Sequence, residues 1–89
     1  MHDSPVDVIS VEIIKNYIIK LQFDDGCSGI VDISKIVPFK AVFEPLNDQH
    51  FFNTVFVNPE IGTICWKNGA DLSPDYLREN VEQKNIRAH

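Results

Sequence analysis

Apolar and polar residues alternate along the first third of the chain, and this pattern predicts three β-strands. Residues 17–23 alternate most cleanly, with a large apolar side chain at every odd position. Residues 6–14 alternate less regularly, because the apolar set changes face near Ser10, and a bulge or twist there would reconcile the two halves. Residues 28–33 predict the third strand.

The segments between these strands contain residues typical of turns. Lys15-Asn16 is a two-residue turn candidate, although it lacks the glycine of the strongest hairpin signals. Asp24-Asp25-Gly26 closes a second hairpin, because aspartate and glycine favour the backbone angles of tight turns. Short turns join antiparallel neighbours, so the first third predicts a three-stranded antiparallel meander.

The middle of the chain predicts less regular structure. Residues 32–37 predict a single helical turn that ends before Pro38. Residues 39–46 have apolar positions at near-helical spacing, but Pro45 interrupts them, so we expect a loop that covers the sheet. Asn47 or Asp48 is a candidate N-cap for a short helix that extends through Phe52.

The second half predicts a hairpin followed by a helix. Residues 54–57 and 63–66 are the candidate strands, with the turn Asn58-Pro59-Glu60 between them. Asn68-Gly69 predicts another turn, and Ser73-Pro74-Asp75 predicts a capped helix start. We expect this helix to run through Leu77 to Val81 and the polar tail 82–89 to fray. The predicted fold is a single α+β domain over residues 1–89, with an ordered core at about 5–81. It consists of a small antiparallel sheet (three-stranded N-terminal meander plus a C-terminal hairpin), a short middle helix and a C-terminal helix.

Four motifs together resemble a known protein family. From Gly62 to Asp75 the chain reads Gly-Thr-Ile-x-Trp-x-Asn-Gly-Ala-Asp-Leu-x-Pro-Asp. It also has Phe-Asp-Asp-Gly at 23–26, Val-Asp-Ile at 31–33 and Phe-Glu-Pro-Leu at 43–46. This combination resembles the short bacterial proteins grouped as domain of unknown function 2442. Lys67 departs from the pattern, since many members have proline there, and lysine makes the turn less rigid.

The resemblance implies a small α+β domain of bacteria and cyanobacteria with no established activity. In some members this domain precedes a helix-turn-helix domain. The present chain ends near residue 89, so we expect the DNA-reading part to be absent. Many members lie beside genes for other small proteins, in an arrangement like that of toxin–antitoxin pairs. The resemblance therefore implies a small neighbouring protein as one partner.

Composition and charge narrow the classes of function. The chain has 89 residues, of which 44% are hydrophobic, so one folded domain is expected and extensive disorder is not. Its net charge is −5 and its pI is about 4.9, which disfavours direct binding of nucleic acid or of an anionic membrane surface. No apolar run is long enough to span a membrane and no signal peptide is present at the N-terminus, so we expect a cytoplasmic protein with reduced Cys27 and Cys65.

The residue types that usually carry catalysis are scattered. The histidines His2, His50 and His89 are not grouped with each other or with cysteines, so we expect no metal and no cofactor. Turn formation and helix capping account for the aspartates more simply than acid–base catalysis does. The serines lack the surroundings of a catalytic nucleophile. We therefore expect a protein that is not an enzyme.

Four residues form the candidate interaction or ligand surface: Trp66, Asn68, Asp71 and Tyr76. Trp66 and Tyr76 are of the type enriched at binding hot spots, but for Trp66 the favoured interpretation is a core residue between the last strand and the helix. The first hypothesis is a protein-interaction or accessory domain that pairs with itself or with a small neighbour, as an antitoxin does, through its long apolar first strand. The alternative is a small-ligand-binding domain or enzyme with a site near Trp66, Asp71 and Tyr76. Binding of DNA would require a partner with a basic surface.

Overall fold

The first three strands form one antiparallel sheet in the order in which they occur along the chain. We describe the fold from a computed structural model, which covers residues 6–81. The strands are β1 (Val8–Lys15), β2 (Ile18–Phe23) and β3 (Ser28–Asp32), arranged β1-β2-β3. The predicted meander is therefore confirmed, and β1 and β3 are its edge strands.

Two irregularities shape β1. Its pairing with β2 shifts between Val8 and Ser10 and again between Ile13 and Lys15. The first shift confirms the bulge predicted near Ser10 and brings the apolar residues on both sides of it onto the core face. The turn into β2 contains Asn16 with a positive φ of 50°, a conformation that asparagine tolerates well.

A short helix and a 3₁₀ helix follow the meander. The helix α1 (Ile33–Ile36) starts at Asp32, whose carboxylate accepts a hydrogen bond from the N–H of Ser34, as the single predicted turn requires. The prediction of a loop over 39–46 is wrong, because Ala41–Asn47 forms a 3₁₀ helix. Pro45 lies inside it, so the proline excluded a longer α-helix without excluding this tighter one.

The second half of the chain follows the prediction with small shifts. The helix α2 (Gln49–Phe52) is capped by Asp48, and the hairpin consists of β4 (Phe56–Asn58) and β5 (Thr63–Cys65). β4 starts two residues later than predicted, because Thr54 lies in the turn after α2, where its N–H and its hydroxyl both donate to the carbonyl of Phe51. The helix α3 (Pro74–Asn80) begins at Ser73, which accepts a hydrogen bond from the N–H of Tyr76. The predicted fraying of the tail concerns residues 82–89, which lie outside the described part.

One hydrophobic core joins the sheet, the hairpin and the helices. Its largest fully buried side chains are Trp66, Phe23, Phe52, Ile19, Leu21, Ile33, Leu46, Ile64, Leu77 and Val8. The members on β2 occupy alternate positions, which places them on one face and leaves Lys20 and Gln22 on the outer face. Within residues 6–81 every helix is too short or too polar to cross a membrane.

Candidate functional site

Trp66 lies in the core and is 1% exposed. Its indole N–H donates to the carbonyl of Phe52 at 3.0 Å, and the two rings pack with their centroids 5.8 Å apart. Tyr17 packs edge-to-face on the same Phe52 ring, with a centroid distance of 4.8 Å. The indole therefore joins β5 to α2, and a ligand would reach it only if the core opened.

Asn68 organises the turn that follows β5. Its side-chain oxygen accepts the N–H of Ala70 at 3.1 Å, and its amide nitrogen donates to the carbonyl of Val42 at 3.0 Å. Gly69 has a φ of 91°, which only glycine adopts readily. Both ends of the Asn68 amide thus hold the turn closed and attach it to the 3₁₀ helix.

Asp71 and Tyr76 are exposed, but they face different parts of the fold. Asp71 forms an isolated bridge with Cys65. Burial raises the pKa of the Cys65 thiol, and the nearby charge of Asp71 raises it further, while a hydrogen bond from Asn58 opposes both. Cys65 is therefore a protonated, buried thiol. Tyr76 is 40% exposed and donates its hydroxyl to the carbonyl of Ile36 at 2.6 Å.

These four residues do not converge on a pocket. Residues 6–81 form two shallow grooves of about 340 Å³ each, and none of the four residues lines either of them. One groove lies at the outer side of β3, along Ile30, Lys35 and Asn80. The other lies where β1 meets the hairpin, along Ile9 and Val57. The side chains of Trp66, Asn68 and Tyr76 instead form hydrogen bonds within the fold.

Arg78 forms a polar cluster that sequence analysis did not find. Its Nε atom pairs with a carboxylate oxygen of Asp25 at 3.1 Å, and a terminal nitrogen donates to the sulfur of Cys27 at 2.6 Å. Its guanidinium also lies 5.7 Å from the centre of the Phe23 ring. Partial burial acts to raise the pKa of Asp25, but the N–H of Cys27 and the guanidinium outweigh it, so the pKa lies below its ordinary value. The cluster attaches α3 to the turn between β2 and β3.

Within residues 6–81, main-chain hydrogen bonds reach the outer edge of β1 only at its beginning. The N–H of Val8 donates to the carbonyl of Gly62 at 2.8 Å, so the hairpin of β4 and β5 occupies this end of the edge. Farther along, Ile9 is 55% exposed and Ile14 is 47% exposed. These are the two most exposed large apolar residues of β1, and Ile14 lies six residues along the strand from the hairpin contact at Val8.

The direction of the main-chain groups in β1 follows from the pairing of β2. The carbonyl of Tyr17 accepts from the N–H of Ile33, and the N–H of Phe23 donates to the carbonyl of Cys27. Odd-numbered residues of β2 therefore direct their main-chain groups toward β3. Because these groups alternate along an antiparallel strand, the even-numbered residues direct theirs toward β1.

This alternation leaves two residues of β1 with outward main-chain groups. Glu12 is paired with the even-numbered Lys20, so its N–H and C=O face β2, whereas those of Val11 and Ile13 face away from the sheet. Among residues 6–81, no main-chain group beyond the sheet hydrogen-bonds to Val11 or Ile13. The middle of β1 is therefore an open edge that another strand would extend.

Residues with metal-binding side chains do not gather in the described part of the chain. No group of three or more histidine, cysteine, aspartate or glutamate residues is placed to hold a metal ion there. His50 is exposed on α2, while the other two histidines fall outside residues 6–81.

Fold and surface together define a small α+β domain built on an antiparallel meander, in which the β1 edge is open at Val11 and Ile13 within residues 6–81. The family model described as "Protein of unknown function (DUF2442)" matches residues 8–83, which is most of the chain. The chain belongs to this family. No curated protein and no solved structure matches it.

Proposed function

We propose that this protein is a non-catalytic interaction domain that binds another polypeptide by adding its strand to the edge of β1. The observation that carries the proposal is the open edge itself, where Val11 and Ile13 direct outward N–H and C=O groups that no main-chain group of residues 6–81 pairs with. In strand addition, such main-chain groups supply affinity and the flanking side chains supply specificity. Exposed Ile9 and Ile14 are the flanking apolar side chains on this strand.

A second observation supports a role in protein binding rather than in catalysis. Within the described residues, every buried side-chain nitrogen and oxygen has a hydrogen-bond partner. A ligand site or catalytic centre normally contains polar groups that are directed into a pocket and await the ligand. Within the same residues, the outward N–H and C=O groups of Val11 and Ile13 have no main-chain partner, and a strand of another protein would pair with them.

The partner is either a second copy or a small neighbouring protein, as in an antitoxin-like pair. We expect a bound strand to slow amide hydrogen exchange at Val11 and Ile13, because both N–H groups then enter a ladder. The measurement is residue-resolved exchange by NMR on the free chain and on the complex that it forms when co-expressed with a tagged candidate partner.

Two matched variants test whether β1 is the contact. Ile14→Lys places a charge on the edge, while Ile61→Lys makes the same change at a residue of similar exposure in the hairpin turn, 46% against 47%. We expect Ile14→Lys to abolish complex formation and Ile61→Lys to leave it intact. Equal binding by both variants, or fast exchange of Val11 and Ile13 within a stable complex, would refute the proposal.

A further inference from the structure

We infer that the strand which extends β1 belongs to a basic segment of another protein, in which a lysine or arginine lies between two apolar residues. This inference rests on the proposed function and names the chemistry of the partner. Three features of the chain lead to it: the length of the open stretch, the faces to which its side chains point, and the negative charge at its centre.

Two irregularities limit the part of β1 that a second strand can pair with. The pairing of β1 with β2 shifts between Val8 and Ser10 and again between Ile13 and Lys15. Between these shifts the outward main-chain groups belong to Val11 and Ile13. A partner strand therefore aligns three of its residues with the open stretch Val11–Ile13, and Lys15 lies beyond this ladder.

The side chains of the open stretch alternate between the two faces of the sheet. Val11 and Ile13 are half-buried and pack against the hydrophobic core, whereas Glu12 between them is exposed. An antiparallel strand that exchanges hydrogen bonds with Val11 and Ile13 has the same alternation of side chains. Its residues opposite Val11 and Ile13 would extend the core face, which favours apolar side chains there. The residue between them lies opposite Glu12 on the outer face.

Glu12 favours a positive charge at this central position. Its main-chain groups face β2, so it would form a non-hydrogen-bonded pair with the partner strand, in which opposing side chains are close together. Lys20 lies opposite Glu12 on β2, but the ion pair described within residues 6–81 joins Arg78 to Asp25, and Glu12 forms none with Lys20. A carboxylate has two acceptor oxygens, so Glu12 can receive a lysine or arginine of the partner. A carboxylate in that position would be destabilising.

The charge of the whole chain favours the same class of partner. Its net charge is −5, so a basic segment is attracted during the encounter and an acidic segment is repelled. A second copy has the same negative charge as the first. Electrostatic attraction therefore favours a basic protein over self-association.

Selection of displayed segments tests this specificity. A phage library of short random segments is selected against the immobilised full chain and, in parallel, against two variants. Glu12→Lys reverses the charge of the open stretch, while Glu79→Lys makes the same change at an exposed position on α3. We expect the original chain and Glu79→Lys to enrich segments with a lysine or arginine between two apolar residues. Glu12→Lys should instead enrich segments with an aspartate or glutamate at that position.

Affinities of individual segments measure the preference. A selected segment and its variant with glutamate at the central position are each titrated into the original chain and followed by NMR. The glutamate segment should bind about two- to tenfold more weakly, because an attractive cross-strand pair becomes repulsive. The order of the two affinities should reverse in Glu12→Lys. Glu12→Gln removes the charge without placing a lysine opposite Lys20, so it should bind both segments about equally, and circular dichroism checks the fold of both variants.

The inference is overturned if the basic preference survives in Glu12→Lys, if Glu79→Lys loses it equally, or if no segment is enriched. It is also overturned if exchange at Val11 and Ile13 slows as the concentration of the chain alone rises, because a second copy then occupies the edge. Failure of the proposed function has a different signature. Segments that slow exchange at Val11 and Ile13 without a basic preference reject only the inference, whereas basic segments that leave this exchange fast reject both.

Discussion

Replacing Trp66 by phenylalanine tests whether the indole is a structural element of the core. The change deletes the ring nitrogen and two ring carbons from a side chain that is 1% exposed. Loss of the indole hydrogen bond costs about 1 kcal/mol net. The carbonyl of Phe52 is not left without a partner, because it also accepts the N–H of Val55 at 3.1 Å. The missing carbons add about 1–2 kcal/mol through lost burial and a residual cavity.

The expected destabilisation from Trp66→Phe is therefore about 2–3 kcal/mol, which corresponds to a fall in Tm of about 10–20 °C for a domain of this size. Urea unfolding followed by far-ultraviolet circular dichroism measures it, since the variant loses the single tryptophan of the chain and with it the fluorescence signal. Tyr76→Phe is the control. It removes the hydroxyl donated to Ile36 from a side chain that is 40% exposed, so its cost should stay below about 1 kcal/mol.

One outcome would refute this reasoning. If Trp66→Phe costs less than about 1 kcal/mol with an unchanged denaturant slope, the indole does not stabilise the core as its burial implies. If self-association also weakened under conditions where the variant is fully folded, Trp66 would have to be assigned to the binding surface. We expect association to be unchanged, because the side chain lies inside the fold.

Four further substitutions test local features by chemical denaturation. Gly62→Ala and Gly69→Ala should each lower the free energy of unfolding by about 1–2 kcal/mol, because both glycines have positive φ. The loss should be larger at Gly62, because the added methyl group would also displace the carboxylate of Asp7. Thr63→Val should cost about 1–3 kcal/mol of unfolding free energy. Thr63 is 4% exposed, and the carbonyl of Leu72 would lose the hydrogen bond that it accepts from the Thr63 hydroxyl. Asp25→Asn should cost at most about 1 kcal/mol at neutral pH, because the pair with Arg78 is partly solvated. Because the pKa of Asp25 is lowered in the folded chain, its ionised carboxylate stabilises the fold above the ordinary pKa of 3.8, and this stabilisation is lost as the pH falls through the lower folded value. The free energies of unfolding of the variant and the original chain should therefore converge in acid. A difference between them that is independent of pH would contradict this.

Local patterns were sufficient to predict most of the secondary structure. Alternation identified the three strands of the meander, and the cap at Ser73 with the following Pro74 identified the start of α3. Such signals lie within a few residues of the element that they specify, so no tertiary information is needed to find them. The 3₁₀ helix was missed for the opposite reason. It is held by Asn47, whose side chain donates to the carbonyls of Phe39 and Glu44, and hydrophobic spacing gives no sign of these contacts.

Sequence analysis predicted less of the candidate binding surface than of the fold. Arg78 and Asp25 are 53 positions apart, and neither residue has a local feature that indicates the other. The residue type of Trp66 indicated either a binding surface or a core position, and only the packing around it distinguishes the two. The open edge of β1 depended on strand order, which no local pattern determines, because a further strand beside β1 would have closed it.

The irregularities of β1 argue that its edge is selective rather than merely unprotected. A long flat apolar edge would pair with any extended chain, and natural proteins prevent this with bulges and charges. β1 has an irregularity near each end, and the stretch between them carries Glu12, with Lys15 at its end. These features shorten the ladder to a few hydrogen bonds, so the affinity of a partner depends on side chains that match the charge pattern.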